Sequence, residues 1–109
     1  MTTNEIIDAL YRQKHQIEEH LDDLLARCST EAERTVIKGS YARAVQQWND
    51  AVNQPLRTND AQLGTLVSDL TTIQDNITTM IARADDLGTI INTIAKGIGI
   101  GAKILTLAK

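Results

Sequence analysis

The chain has 109 residues with a formal charge of −3, no Phe, three aromatic residues and one cysteine. That length supports one domain, and the acidic balance excludes the broad basic face of a nucleic-acid binder. A lone Cys28 excludes an internal disulfide and points to a reducing compartment, so a cytoplasmic location is expected, with membrane association left open by the tail described below.

Residues 1–5 lack the basic and apolar parts of a secretory signal, and neither end carries a lipidation motif. Strand-forming runs bounded by turn residues are scarce, which predicts an all-α fold. Thr2 and Glu5 have the spacing of a capping box. They open a helix over about 3–28 with a seam of Ile7, Leu10, Lys14, Ile17, Leu21, Leu24 and Cys28. Glu18, Glu19, Asp22 and Asp23 fill its outer face.

Thr30 and Glu33 repeat the box and open a second helix over 31–53. Its seam is Ile37, Tyr41, Ala44, Trp48 and Ala51, flanked by Val36, Val45 and Val52. This register is about one residue out of step with the first helix, which implies either a break near Ser29 or one long helix with a stutter. Pro55 removes an amide hydrogen and disfavours helical geometry at Gln54, so the helix is expected to end by Asn53. Asn59 with Gln62 has the look of another cap.

From Leu63 onward an a/d series runs through Leu66, Leu70, Ile73, Ile77, Met80, Ala84, Leu87, Ile91, Ile94, Ile98, Gly101, Leu105 and Ala108. Only Gly101 is neither bulky nor Ala. This predicts helices over 60–87 and 88–108, separate or continuous. Because Pro55 sits at the midpoint, the two halves pair as an antiparallel hairpin. The expected fold is a single domain forming a three- or four-helix bundle with coiled-coil-like packing, and dimerisation is one way to complete its core.

Charge is uneven along the chain. Residues 1–86 hold 14 acids and 8 Lys/Arg, a net of −6, whereas 87–109 hold no acid and three lysines. The apolar arc past Leu87 is wide enough to demand cover. The expected interface or membrane contacts are Ile90, Ile91, Ile94, Ile98, Ile104 and Leu105, with Lys96 and Lys103 orienting the segment. Gly97 and Gly101 have the spacing that lets two helix backbones touch, and Trp48 is a further core or interface anchor. Lys96 interrupts the uncharged run, so the segment suits a surface-lying helix better than a spanning one.

His15 and His20 lie five residues apart, about 140° around a helix, and match no zinc or di-iron motif. No P-loop, dinucleotide fingerprint or nucleophile elbow is present. The expectation is therefore a non-enzymatic protein without cofactor or metal. It would be an interaction or assembly module that pairs with itself, most simply as a dimer, or with another helical protein. The alternative is a peripheral membrane protein that uses residues 87–109.

Trp48-Asn49-Asp50 lies close to the midpoint turn. In outline the chain resembles the small secreted helical-hairpin proteins that carry Trp-x-Gly at such a turn. Asp50 stands where those proteins have glycine, and their C-terminal Tyr-x-x-x-Asp/Glu signal is absent. The resemblance extends to the hairpin outline alone.

Overall fold

Four helices and no strand make up the computed structural model, which describes residues 1–109: α1 (Thr3–Arg27), α2 (Glu31–Asn53), α3 (Leu63–Ala82) and α4 (Leu87–Ala108). Both halves of the chain are thus interrupted. At the first break Cys28 is extended, and Thr30 and Glu33 form a complete capping box. The box at α1 is only half made. Thr2 accepts from the Glu5 amide at 3.2 Å, but the Glu5 carboxylate takes the Thr2 hydroxyl proton instead of reaching the Thr2 amide. α2 ends at Asn53, ahead of Pro55. The expected Asn59–Gln62 cap is replaced by Asp60, whose carboxylate accepts from the Gln62 amide at 2.8 Å.

The second break falls inside the long a/d series, at Ala84. This residue has a φ of 53° and is exposed, so it leaves the seam. The Asp85 amide donates to Met80 O and the Ala84 amide to Ile81 O, which together close α3 as a Schellman turn. Glycine normally fills this left-handed position, because a Cβ there costs roughly 1–2 kcal/mol. Ala84→Gly is accordingly expected to stabilise the protein by up to about 1 kcal/mol after the added chain entropy of glycine is subtracted. A higher urea midpoint at unchanged slope would register it.

The helices alternate in direction. α1 packs beside α2 and α3, α4 packs beside the same two, and α2 and α3 occupy opposite corners without touching. Residues 54–62 therefore cross the end of the bundle diagonally. α1 and α4 share the other diagonal and approach each other through the centre. The molecule is a rod of 43 × 23 × 18 Å.

Apolar burial falls into two clusters. One holds Ile17, Leu24, Ile37, Ile77, Ile90, Ile94 and Ile98; the other holds Ile6, Leu10, Leu63, Leu70, Ile104 and Leu105. Between them lies a polar layer of Gln13, Gln47 and Gln74, all buried. Gln13 Nε2 donates to Gln47 Oε1 at 2.8 Å, and Gln47 Nε2 donates to Ile98 O at 2.9 Å. Gln74 Nε2 reaches Ala9 O at 3.0 Å, and Gln16 Nε2 reaches Gln74 O at 2.7 Å. The layer thereby links α1 to α2 and α3, and α2 to α4. α4 leaves room for it with Gly97 and Gly101, which sit against Gln13, Gln47 and Leu10.

Two expected seams are corrected by one residue. The buried line of α1 is Ile6, Leu10, Gln13, Ile17 and Leu24, so Gln13 and not Lys14 is its polar member. The buried line of α2 is Ile37, Ser40, Ala44, Gln47 and Ala51, which moves Tyr41 and Trp48 to the margin.

Candidate interaction surfaces

α4 owes its wide apolar arc to the demands of its own fold. Ile90, Ile94, Gly97, Ile98, Gly101, Ile104 and Leu105 are buried within the single chain, and Ile91 is half-buried. The residues expected to meet a partner are therefore occupied by α1, α2 and α3, and Gly97 and Gly101 admit neighbours from the same chain. What α4 offers to solvent is a flat strip of Asn92, Ala95, Gly99, Ala102 and Thr106 with Lys96 and Lys103. Neither lysine has an ion-pair partner, whereas Lys109 pairs with Asp50 at 3.3 Å. A Cβ on Gly99 would meet nothing within 4 Å.

A second surface was not anticipated. None of the three aromatic residues is fully buried: Tyr41 and Trp48 are half-buried at the edges of the two clusters and Tyr11 is exposed, all on the seam between α1 and α2. Tyr11 meets Trp48 edge to face with ring centres 5.6 Å apart, and His15 stacks on Tyr11 at 5.7 Å. Lys14 Nζ lies 5.3 Å from the centre of Trp48 and 5.5 Å from that of Tyr11. It also bridges to Glu18 at 3.2 Å, and Glu18 accepts the Tyr41 hydroxyl at 2.6 Å. On α2 the seam continues as Tyr41, Val45, Trp48 and Val52, spaced four, three and four residues apart. Val52 is 49% exposed and Tyr11 41%. Ile7, Leu21 and Leu25 of α1 border the same seam, each half-buried.

The signal for this stripe is present in the sequence, because α2 carries two interleaved lines of seven-residue spacing. The bulkier line draws the eye as core. Gln13 and Gln47 bias the burial the other way, since a buried amide must find a partner and each can bond the other only on the inner face.

Charge around the seam is locally compensated. The Tyr41 hydroxyl, with help from Lys14, holds the Glu18 carboxyl below the usual carboxylate range, and the same contact pushes the Tyr41 hydroxyl up. Bonds from the Ser29 amide and hydroxyl, joined by those of Thr30, lower Glu33 likewise. A carboxyl depressed on folding stabilises the native state above its unfolded pKa, and that contribution is lost as pH falls through the lowered value. Tyr41→Phe is expected to return the Glu18 titration toward the ordinary range, read by carboxyl carbon NMR, while leaving Glu33 in place.

His15 and His20 border a shallow polar groove between α1 and α3 with Arg12, Glu19 and Asp75. No three ligating side chains in the molecule come close enough to share a metal ion. Cys28 is buried, and its thiol donates to Leu24 O at 3.3 Å. A groove of about 580 Å³ between α3 and α4 is lined by Ile73, Met80, Asn76, Arg83, Thr89 and Lys96 among others.

No protein-family profile matches the sequence, and neither a curated protein nor a solved structure shows significant similarity to it.

Proposed function

We propose that this protein is a non-catalytic helical interaction module that pairs with a second copy of itself along the α1–α2 seam. The observation that supports this is the burial pattern of α2, which places Ile37, Ser40, Ala44, Gln47 and Ala51 inside and leaves Tyr41, Val45 and Trp48 half-buried and Val52 exposed along its margin. A helix folding only for its own core gains by burying its largest apolar side chains. The outward stripe has the three- and four-residue steps of a coiled-coil contact. Trp and Tyr are also the residues most enriched at binding hot spots. A two-fold axis would set the same stripe of a second chain against it.

Light scattering of the intact chain over a range of concentrations tests the proposal. A concentration-dependent dimer is expected for the natural sequence, and a monomer with the same circular dichroism for Tyr11→Glu combined with Val52→Glu. A natural chain that stays monomeric throughout would overturn self-pairing.

A second reading is favoured by α4. Its 22 residues are, by length and composition, long and apolar enough to cross a membrane. It has no acidic residue, and its lysines lie on one polar stripe. Those are the features of a helix that binds a lipid surface. Under this reading the protein is a peripheral membrane protein of the cytoplasm. Flotation with anionic vesicles tests it, and failure to float at low salt would end it.

A further inference from the structure

The membrane reading of α4 raises a conflict, because its apolar face is already covered. Ile90, Ile94, Ile98 and Leu105 point into the bundle, and Asn92, Lys96, Lys103 and Thr106 point out. An interfacial helix divides itself the same way, with its apolar face in lipid and its polar stripe in water. Bundle and bilayer therefore compete for one face.

The hold of the bundle on α4 is weak at three places. At its middle, Gly97 and Gly101 bring no side chain to the contact, the facing Gln13 Oε1 is buried without a hydrogen-bond partner, and one side-chain bond, from Gln47 Nε2 to Ile98 O, ties the helix in place. At its end Ala108 is buried, and the polar clasp around it is formed by Arg57, Asp50 and Lys109 at the rim of the bundle. The Arg57 amide donates to Ala108 O at 2.6 Å, the Arg57 guanidinium reaches Lys109 O, and Lys109 Nζ meets Asp50. At its start, Ala84 holds a left-handed conformation that its Cβ disfavours, and that strain is released if the turn opens.

Charge supplies the direction. Residues 1–86 carry −6 and residues 87–109 carry +3. An anionic surface draws α4 toward it and repels the other three helices, which works to separate them. Lys96 and Lys103 fall mid-helix, where a spanning orientation is costly, so α4 would lie in the surface.

We propose that α4 is a stored lipid-binding helix: it pivots away from the bundle at residues 83–86, unclasps from Arg57 and Asp50, and lays Ile90, Ile94, Ile98 and Leu105 into an anionic bilayer. This rests on the membrane reading above.

The test staples the clasp shut. A chain carrying Asp50→Cys and Lys109→Cys, with Cys28→Ala to remove the native thiol, is prepared with and without a short bis-maleimide crosslink. Both forms are checked for equal helicity by circular dichroism. They are then floated with vesicles of equal parts phosphatidylcholine and phosphatidylglycerol, and with phosphatidylcholine alone. The open form is expected to float with the mixed vesicles only, and the stapled form with neither. Arg57→Ala in the natural sequence should raise flotation a few-fold, since exposed contacts of this kind are individually weak. If open and stapled forms float equally, the bundle binds closed and α4 is not released, though the membrane reading stands. If neither form floats, the membrane reading falls and takes this proposal with it. Equal binding to phosphatidylcholine alone would overturn the anionic requirement.

Discussion

Gly101→Leu is expected to cost roughly 3–5 kcal/mol, a large share of the stability of a small domain. A Cβ at this position would collide with Gln47 Oε1 and come within 3.2 Å of Leu10 Cδ2, before any further atoms of leucine are placed. Overpacking a tight core costs about 1–3 kcal/mol. Displacing Gln47 also strips the Gln13 amide of its acceptor, and a buried orphan donor costs about 1–3 kcal/mol more. The comparison that isolates the effect lies on the same helix. Gly99 faces open solvent inside the helix, so Gly99→Leu should leave stability unchanged or raise it by up to about 1 kcal/mol. Gly97→Leu falls between them, because a Cβ there meets the movable tip of Gln13 at 3.0 Å and Ile73 and Leu70 at 3.5 and 3.6 Å. Urea unfolding of the three variants reads the order directly. Equal gains at positions 99 and 101 would show that intrinsic helix preference, and not the diagonal approach of α1 and α4, governs these glycines.

Much of the architecture is legible in the residues. Pro55 ends α2 where its missing amide hydrogen requires, and Thr30 with Glu33 starts it. The apolar spacing from Leu63 onward yields helices that pack their Leu and Ile inward. The errors share one physical origin, which is that hydrophobic spacing weighs side chains by size and polarity. Lys14 entered the α1 seam because the count began from Ile7; begun from Ile6, it meets Gln13 and buries a polar residue. Ile37, Ala44 and Ala51 of the expected α2 seam are buried, but Tyr41 and Trp48 entered it because they are large, although the smaller Ser40 and Gln47 are the residues inside. Ala84 fits the seven-residue count and yet closes a helix, since a single left-handed residue leaves no trace in periodicity.

Position 101 shows the same limit for contacts. The Gly97–Gly101 spacing signals close approach correctly, but spacing cannot say whether the approaching helix belongs to another molecule. The answer depends on Gln13, which lies 84 residues from Gly97 along the chain by its numbering, and on Gln47, which lies 54 from Gly101; each reaches its glycine only after the bundle forms. For the interaction surfaces the consequence is a shift of place. The Ile90–Leu105 face closes the monomer, and the aromatic seam of α1 and α2 is left at the margin.

Gln47→Met alone is expected to destabilise the bundle by about 1–3 kcal/mol, whereas Gln13→Met together with Gln47→Met should recover most of that loss. Methionine is unbranched and close to glutamine in length, so it can follow the same path past Gly97 and Gly101. The single change leaves Gln13 Nε2 buried without an acceptor and frees Ile98 O only of its second bond, because the helix already supplies a donor to that carbonyl. The double change removes both amides and leaves Gln74, bonded to Ala9 O, as the one polar side chain between the two apolar clusters. A coupling of about 0.5–3 kcal/mol between the two sites is the signature of the bond. The double change should cost uniqueness instead, because apolar contacts alone permit α4 to slide along its axis where the Gln47–Ile98 bond now sets its register. Reduced amide dispersion in the NMR spectrum of the double variant, at a urea midpoint near that of the natural protein, is the expected pair of results. Strictly additive losses at the two positions would mean that the glutamines act separately and that the layer does not select the packing.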